Sequence, residues 1–380
     1  MMYKQLPHIP TPCFVLEEEK LEVNLKILER VQRKTGVDIL LALKGFALWA
    51  SFPLVKQYLA GATASSLNEA KLCYEMLGSL AHCYFVAYLP EEFEQVIDIS
   101  SHVSFNSIEE YKRFKELLHT HPSAPSAGIR VNPLYSNVNS EVNNPASRNS
   151  RLGVLPEELQ GGLPVGIEGL HVHTLGESDS FALEQLIKAL EKYYESFLHQ
   201  VKWINLGGGH LMTDAKYDLE HGIKLLSEFR EKYELEVLLE PGSAVAWQTG
   251  VLLCRVMDII PREPYPIAIL DVSFSAHIPD TLEMPYNPKI RGASMPISGK
   301  PTYTLGGISC LAGDYLSAYS FDQELKVGDR LIIEDMIHYT MVKTTMFNGV
   351  KHPSIAIQRK DKSIEIIRNF TYEDYKSRLS

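Results

Sequence analysis

Between residues 25 and 245 the chain repeats one pattern: a short apolar run, then a longer stretch whose apolar positions recur at helical spacing. The runs are Ile39–Leu43, Ala62–Ser65, Cys83–Tyr88, Val103–Asn106, Gly128–Val131, Ile167–His173, Trp203–Leu206 and Val237–Glu240. Short continuous apolar runs read as buried strands. The stretches between them, such as Leu67–Leu77, Glu91–Ile99, Ile108–Leu118, Phe181–Phe197 and Tyr217–Tyr233, read as amphipathic helices. Ser66-Leu67-Asn68-Glu69 has the form of a capping box that opens one of them. Strand and helix in alternation predict a parallel sheet with helical crossovers. Eight such units are the content of a (β/α)8 TIM barrel. An open doubly wound sheet is the alternative, but no GxGxxG follows the first run.

After about Ala246 the pattern changes. Val251–Ile260, Ile267–Val272, Arg330–Glu334, Ser354–Ile357 and Ile364–Ile367 follow without long helices between them, punctuated by Gly and Pro. This predicts a C-terminal antiparallel β-sandwich or β-barrel domain, which the N-terminal run Cys13–Leu16 can join. The expected domains are a barrel over 21–245 and a β domain built from 1–20 and 246–380. The Asn- and Ser-rich segment Leu134–Arg151 reads as a long loop over the active face of the barrel.

Composition narrows the partners. The 380-residue chain carries a formal net charge of −10, which argues against nucleic acid and favours a cationic substrate. No stretch approaches the roughly 18 apolar residues that would span a bilayer, and Met1–Pro10 lacks the apolar core of a secretion signal. The five cysteines are scattered with no CxxC pair, so neither a disulfide framework nor a zinc site is expected. The expected compartment is the reducing cytoplasm.

Barrel enzymes carry their chemistry at the C-terminal ends of the strands. There the chain places Lys44, His171 and His173, Gly207-Gly208-Gly209, and Glu240. Lys44 follows a wholly apolar run, so its amine is partly desolvated and nucleophilic; otherwise it is a rim lysine snorkelling to water. Three glycines leave bare N–H groups for a phosphate, or merely form a tight turn. Glu240 can hold a proton on a pyridine nitrogen and so make an electron sink, or pair within the barrel mouth. His171 and His173 face the same way on a strand. His-x-His is also a metal pattern, but no Asp or third His stands at a suitable spacing. A stacked imidazole is the alternative, and only a flat cofactor would give it that task.

The stretches Leu41-Ala42-Leu43-Lys44, Gly169-Leu170-His171-Val172-His173, Asn205-Leu206-Gly207-Gly208-Gly209-His210, Glu240-Pro241-Gly242, Cys310-Leu311-Ala312-Gly313-Asp314 and His338-Tyr339-Thr340 together resemble, over nearly the whole chain, the pyridoxal-phosphate-dependent decarboxylases of fold type III. That group also contains alanine racemase and the ornithine and diaminopimelate decarboxylases. The branch most similar is the one acting on carboxynorspermidine and carboxyspermidine in polyamine biosynthesis. The resemblance implies that Lys44 carries pyridoxal 5'-phosphate, that His173 rather than His171 stacks on its ring, and that Gly207, Gly208 and Gly209 hold its phosphate. It implies Glu240 at the ring nitrogen and Tyr339 at the phosphate. Cys310 would handle the proton that replaces CO₂. Cys310 and Asp314 would come from the partner subunit of a homodimer with shared sites.

Three departures bear on this. Ser243 stands where many relatives place an Arg after Glu-Pro-Gly. Leu311 stands where ornithine and diaminopimelate decarboxylases place the acid that holds the distal end of their substrates. Thr174-Leu175-Gly176-Glu177 replaces the usual Gly-Ser after the stacking histidine. A carboxylated polyamine needs acidic partners for its ammonium groups, and Asp314, Glu177, Asp271 and Asp280 are candidates; Arg151 could meet a carboxylate. The competing readings are a decarboxylase of another basic amino acid (diaminopimelate, ornithine or arginine), a non-catalytic pyridoxal-phosphate-binding regulator, and a metal-dependent barrel hydrolase built on His171 and His173.

Overall fold

The computed structural model describes residues 8–380. After an N-terminal strand β1 (Cys13–Glu17), eight strands close a barrel. They are β2 (Asp38–Ala42), β3 (Gly61–Ala64), β4 (Ala81–Tyr84), β5 (Ser100–Phe105), β6 (Ser126–Arg130), β7 (Gly169–His171), β8 (Trp203–Asn205) and β9 (Glu236–Leu239). Each pairs in parallel with the next, and β9 closes on β2. All eight apolar runs contribute a strand. Four of the helices between them begin at side-chain caps, which satisfy otherwise orphaned N–H groups. Ser107, Asp179 and Asp218 accept from the amides of Glu110, Ala182 and His221. Ser66 caps Glu69 in the expected way, but the Glu69 carboxylate reaches the amide of Ser65 instead of Ser66. The stretch Leu67–Leu77 is an α-helix only to Leu72. Cys73–Leu77 widens into a π turn that ends on left-handed Gly78.

Alternation along the strands fills the barrel in layers. Its lower interior is organised by Trp203, which packs with Leu40 of β2 and Leu238 of β9 and lies edge-on to His102 of β5. The indole needs Gly128 and Gly169 on β6 and β7: a Cβ there would lie 2.3 Å and 2.0 Å from it. His82 and His102 stack beside it at 4.0 Å. Two residues further along the same strands stand Tyr84, Arg130, His171 and Asn205, and above Leu238 stands Glu240. The upper layer is thus polar where the lower is mostly apolar.

The second sheet has nine strands. β10 (Gly250–Ile260) pairs with β1, with β15 (Arg330–Glu334) and, past a bulge at Val256/Asp258, with β11 (Ile267–Leu270). The sheet continues through β13 (Thr302–Gly306) and β14 (Tyr315–Phe321) to β12 (Ala293–Ser294), and on the other side through β16 (Ser354–Gln358) to β17 (Ile364–Arg368). Its core holds Ile9, Cys13, Val15, Val251, Leu253, Ile332 and Ala356. Two pairings are parallel, β1 with β16 and β11 with β13, so the sheet is mixed instead of antiparallel throughout. Neither pair is a hairpin: long connections separate both, and these permit parallel pairing.

The described residues divide into two compact units, one comprising the chain up to Leu21 together with Ala246–Ser380, the other Glu22–Val245. The first seven residues of the expected 1–20 segment lie outside the described residues. No described helix is long and apolar enough to cross a membrane.

Candidate active site

At the C-terminal mouth of the barrel, four of the strand-end residues singled out above converge. Lys44, just past β2, places its Nζ 3.3 Å from His173 Nε2. His173, just past β7, has Nδ1 3.4 Å from a carboxylate oxygen of Glu240, and His171 Nε2 lies 3.6 Å from the same oxygen. The His171 side chain is 1% exposed and that of His173 17%. Of the two, therefore, His173 presents a ring that a ligand in the mouth can reach, while His171 is sealed beneath it. Tyr84 meets His171 edge-on at 5.0 Å.

Burial sets the charge states. It lowers the Lys44 ammonium from its ordinary value; Glu240 opposes that effect and Arg130 adds to it. A neutral amine is thereby made accessible. Burial also pushes His173 down to about 3, helped by the nearby Lys44, and lowers His171. For Glu240 burial acts upward, but the His171 and His173 imidazoles overcome it and hold the carboxyl well below the usual range. The cluster combines a deprotonatable amine, neutral imidazoles and a fixed carboxylate.

The Gly207-Gly208-Gly209 turn is welded to this cluster. Gly208 donates its amide to His173 Nδ1 at 3.4 Å. A Cβ at Gly208 would lie 2.5 Å from the Glu240 carbonyl oxygen. Gly207 and Gly209 have φ of 71° and 91°, left-handed values that favour glycine. Their missing side chains let the turn approach the backbone of Val172 and Leu175.

Two residues absent from the expected set complete the arrangement. Asn205 donates to Glu240 Oε1 at 2.6 Å and accepts from the Gly207 amide at 2.8 Å, tying the carboxylate to the glycine turn. Arg130 lays its guanidinium over the Tyr84 ring at 4.6 Å and donates to the His173 carbonyl at 2.8 Å. Both could have been found by counting two residues on from the interior positions Trp203 and Gly128. Arg151 is exposed; its carbonyl accepts from Asn106, which also accepts from Tyr84 Oη.

The β unit holds the remaining candidates. Cys310 is exposed, the one exposed cysteine of five, and its amide donates to Asn348. Tyr339 sits at φ 47°, close behind His338. Asp314, expected to meet substrate, instead shapes the segment carrying Cys310: it accepts from the Ser275 amide and from both the amide and hydroxyl of Ser309. Both its oxygens accept, so the carboxylate holds this segment in shape. Asp271 accepts from the Arg255 amide at 2.8 Å through one oxygen, while the other is buried without a hydrogen bond. Asp280 accepts from Tyr286 and Thr340 through one oxygen, while the other is buried without a partner. Glu177, in the barrel unit, is exposed and left-handed at φ 37°.

His171, His173 and Glu240 each offer one ligand atom within 4.8 Å of the others. Glu240 thus supplies the third metal donor that sequence spacing did not reveal.

A barrel whose mouth presents a desolvated lysine, a reachable imidazole, an anchored carboxylate and a glycine turn, on a chain that also forms a C-terminal sheet, is the architecture of one enzyme class. The chain belongs to the pyridoxal-dependent decarboxylases: the family described as "Pyridoxal-dependent decarboxylase, C-terminal sheet domain" matches residues 14–337. Among its relatives, the carboxyaminopropylagmatine decarboxylase of Synechocystis is 50% identical, over 99% of this chain and 97% of that one. The carboxynorspermidine/carboxyspermidine decarboxylase of Campylobacter jejuni is 39% identical over 97% and 98%. The structure of carboxynorspermidine decarboxylase from Campylobacter jejuni complexed with norspermidine superimposes with a TM-score of 0.90 at 38% identity, covering 97% of this chain and all of that one. Diaminopimelate decarboxylase from Helicobacter pylori shares the fold, with a TM-score of 0.84 at 18% identity.

The donor set fits pyridoxal phosphate. Lys44 can lose its proton, Glu240 remains an anion, and the His173 ring is open to the mouth. A Cβ at Gly208 would crowd both that ring and the Glu240 backbone.

Proposed function

We propose that this enzyme decarboxylates a carboxylated polyamine, with carboxynorspermidine and carboxyspermidine as its first candidates. Bound pyridoxal phosphate supplies the electron sink that stabilises the charge left on the α-carbon when CO₂ departs. The chain's residues do the rest. Lys44, its ammonium destabilised by burial, would provide the neutral amine that holds the cofactor. Glu240, kept ionised and fixed by Asn205, holds a proton on the ring nitrogen. His173 flanks the ring. Within the glycine turn the Gly207 and Gly208 amides are given to Asn205 and His173, so Gly209 offers the amide for the phosphate, and with Ser243 in place of an arginine that contact leans on backbone N–H groups. Tyr339 is proposed at the phosphate as well.

Cys310 of the partner subunit delivers the proton to the α-carbon in a cytoplasmic homodimer with shared sites. Asp314 keeps its segment in shape. One observation carries the substrate reading: Leu311, an apolar residue that is 46% exposed, follows Cys310 where decarboxylases of short basic amino acids place an acid. An apolar side chain there suits a methylene-rich tail. A second reading, carboxyaminopropylagmatine, rests on the relative that is 50% identical; its tail ends in a guanidinium instead of an ammonium.

The test is CO₂ release by the loaded enzyme from carboxynorspermidine, carboxyspermidine, carboxyaminopropylagmatine, meso-diaminopimelate, ornithine and arginine. Release confined to the first three supports the reading and ranks the tails. Efficient release from diaminopimelate or ornithine overturns the argument from Leu311. Lys44→Ala is expected to abolish both turnover and the visible absorbance of bound cofactor.

A further inference from the structure

The loop after β7 is gripped from both sides. On one side, the Asn137 side chain forms a reciprocal pair with Gly176, donating to its carbonyl at 2.7 Å and accepting from its amide at 2.9 Å. Ser136 adds a bond to the Thr174 carbonyl at 2.6 Å. On the other, Ser178 gives both its amide (2.6 Å) and its hydroxyl (2.9 Å) to the Gly209 carbonyl, and the Leu211 amide returns to Ser178. Glu177 lies between these two grips. Its φ of 37° is a left-handed value that a side chain rarely adopts, and such strain persists where surrounding structure enforces it. Its carboxylate makes no hydrogen bond or ion pair with a described residue. A glycine would suit this backbone better, and the chain keeps an acid.

We infer that Glu177 is the specificity residue that receives the substrate's secondary ammonium, the one nearest the reacting carbon. The inference rests on the carboxylated-polyamine reading. Glu177 is four residues past His173 and joined through Ser178 to the glycine turn, so it stands by the head of the substrate, not by the far end of its tail. In carboxynorspermidine, carboxyspermidine and carboxyaminopropylagmatine, the third atom after the α-carbon is a secondary amine. In ornithine, arginine and diaminopimelate it is a methylene. A carboxylate carried on this held stretch of backbone therefore favours all three polyamine heads and gives nothing to the amino acids.

The test compares two ligands that differ at that one atom. Norspermidine has a secondary amine at the centre of its chain; 1,7-diaminoheptane has a methylene. Titration calorimetry on the cofactor-loaded enzyme is expected to show a preference for norspermidine that shrinks on the order of 10- to 100-fold in Glu177→Gln, the range for losing a hydrogen bond to a charged group. Glu177→Gly, compatible with the left-handed backbone, is the second variant and is expected to behave the same way. An unchanged preference in either folded variant overturns the inference. If the wild-type enzyme releases no CO₂ from any carboxylated polyamine, the substrate reading itself falls, and the two failures are thereby distinguished.

Discussion

Replacing Asn205 by alanine tests whether Glu240 is held as the geometry requires. The side chain is 3% exposed and serves two groups at once. Its amide donates to Glu240 Oε1 at 2.6 Å, and its oxygen accepts the Gly207 N–H at 2.8 Å. Asn205→Ala strips a buried carboxylate of a donor, a loss of about 1.5–3 kcal/mol, and orphans a buried amide, costing about 1–3 kcal/mol more. A destabilisation of about 2.5–6 kcal/mol follows, a large part of the roughly 5–15 kcal/mol that holds a protein folded. Because Glu240 and the glycine turn both lose their tie, cofactor affinity falls too. Asn205→Asp separates the two roles. It keeps an acceptor for Gly207 but sets a second carboxylate against Glu240, which raises the pKa of the pair, so its cofactor binding weakens more as pH rises. Urea midpoints at saturating cofactor and cofactor Kd from visible absorbance read both effects. An Asn205→Ala enzyme within about 1 kcal/mol of wild type, with unchanged cofactor Kd, would refute the assignment.

Gly208→Ala drives a Cβ to 2.5 Å from the Glu240 carbonyl; overpacking of this kind costs about 1–3 kcal/mol, and cofactor Kd is expected to rise with it in an absorbance titration. Asp314→Ala releases three hydrogen bonds that shape the Cys310 segment, so kcat/KM should fall while the barrel-bound cofactor keeps its absorbance. Stability should also fall as pH drops below 6.5. Burial depresses His82 to about 3 and His102 to about 4, so the unfolded chain takes up protons that the folded barrel refuses. That contribution is fully present above pH 6.5 and is lost progressively toward pH 4 and below. Urea midpoints at pH 7.5 and 5 measure it, and a double replacement of the pair by phenylalanine should flatten the slope.

The barrel was legible because its strands are apolar on both faces and end in chemistry that departs abruptly from that background. Lys44, Glu240 and the glycine turn stand out against the runs they terminate. Asn205 and Arg130 were harder to see because they lie inside or at the end of the runs, where an amide or a guanidinium reads as ordinary barrel filling. Their meaning depends on which neighbour faces them across the closed sheet, and a linear pattern does not carry that. The sheet unit was less legible. β13 and β14 carry Thr, Ser, Tyr and Gly in place of branched aliphatics, so neither stood out as a strand. Asp314 and Asp271 were read as substrate contacts because an acid beside a motif looks available; only the fold reveals that both are buried and accept from backbone amides.

His171, His173 and Glu240 form a group that could ligate a metal, and that possibility is decided by lone pairs. A ligating histidine must offer a free nitrogen toward the ion and donate its other N–H outward. Here His173 Nδ1 faces the Gly208 amide and Nε2 faces the Lys44 amine, so its two nitrogens are both spoken for. Glu240 gives one oxygen to Asn205. An ion among these three groups would also place a dication close to Lys44, favouring the amine's loss of its proton but competing with it for His173. A flat ring over His173 would leave the Gly208 and Asn205 bonds in place, and only the Lys44 amine, which would hold the cofactor, would leave its position beside His173 Nε2. The same hydrogen bonds that obstruct a metal are the ones that hold the site rigid for a flat, anionic cofactor.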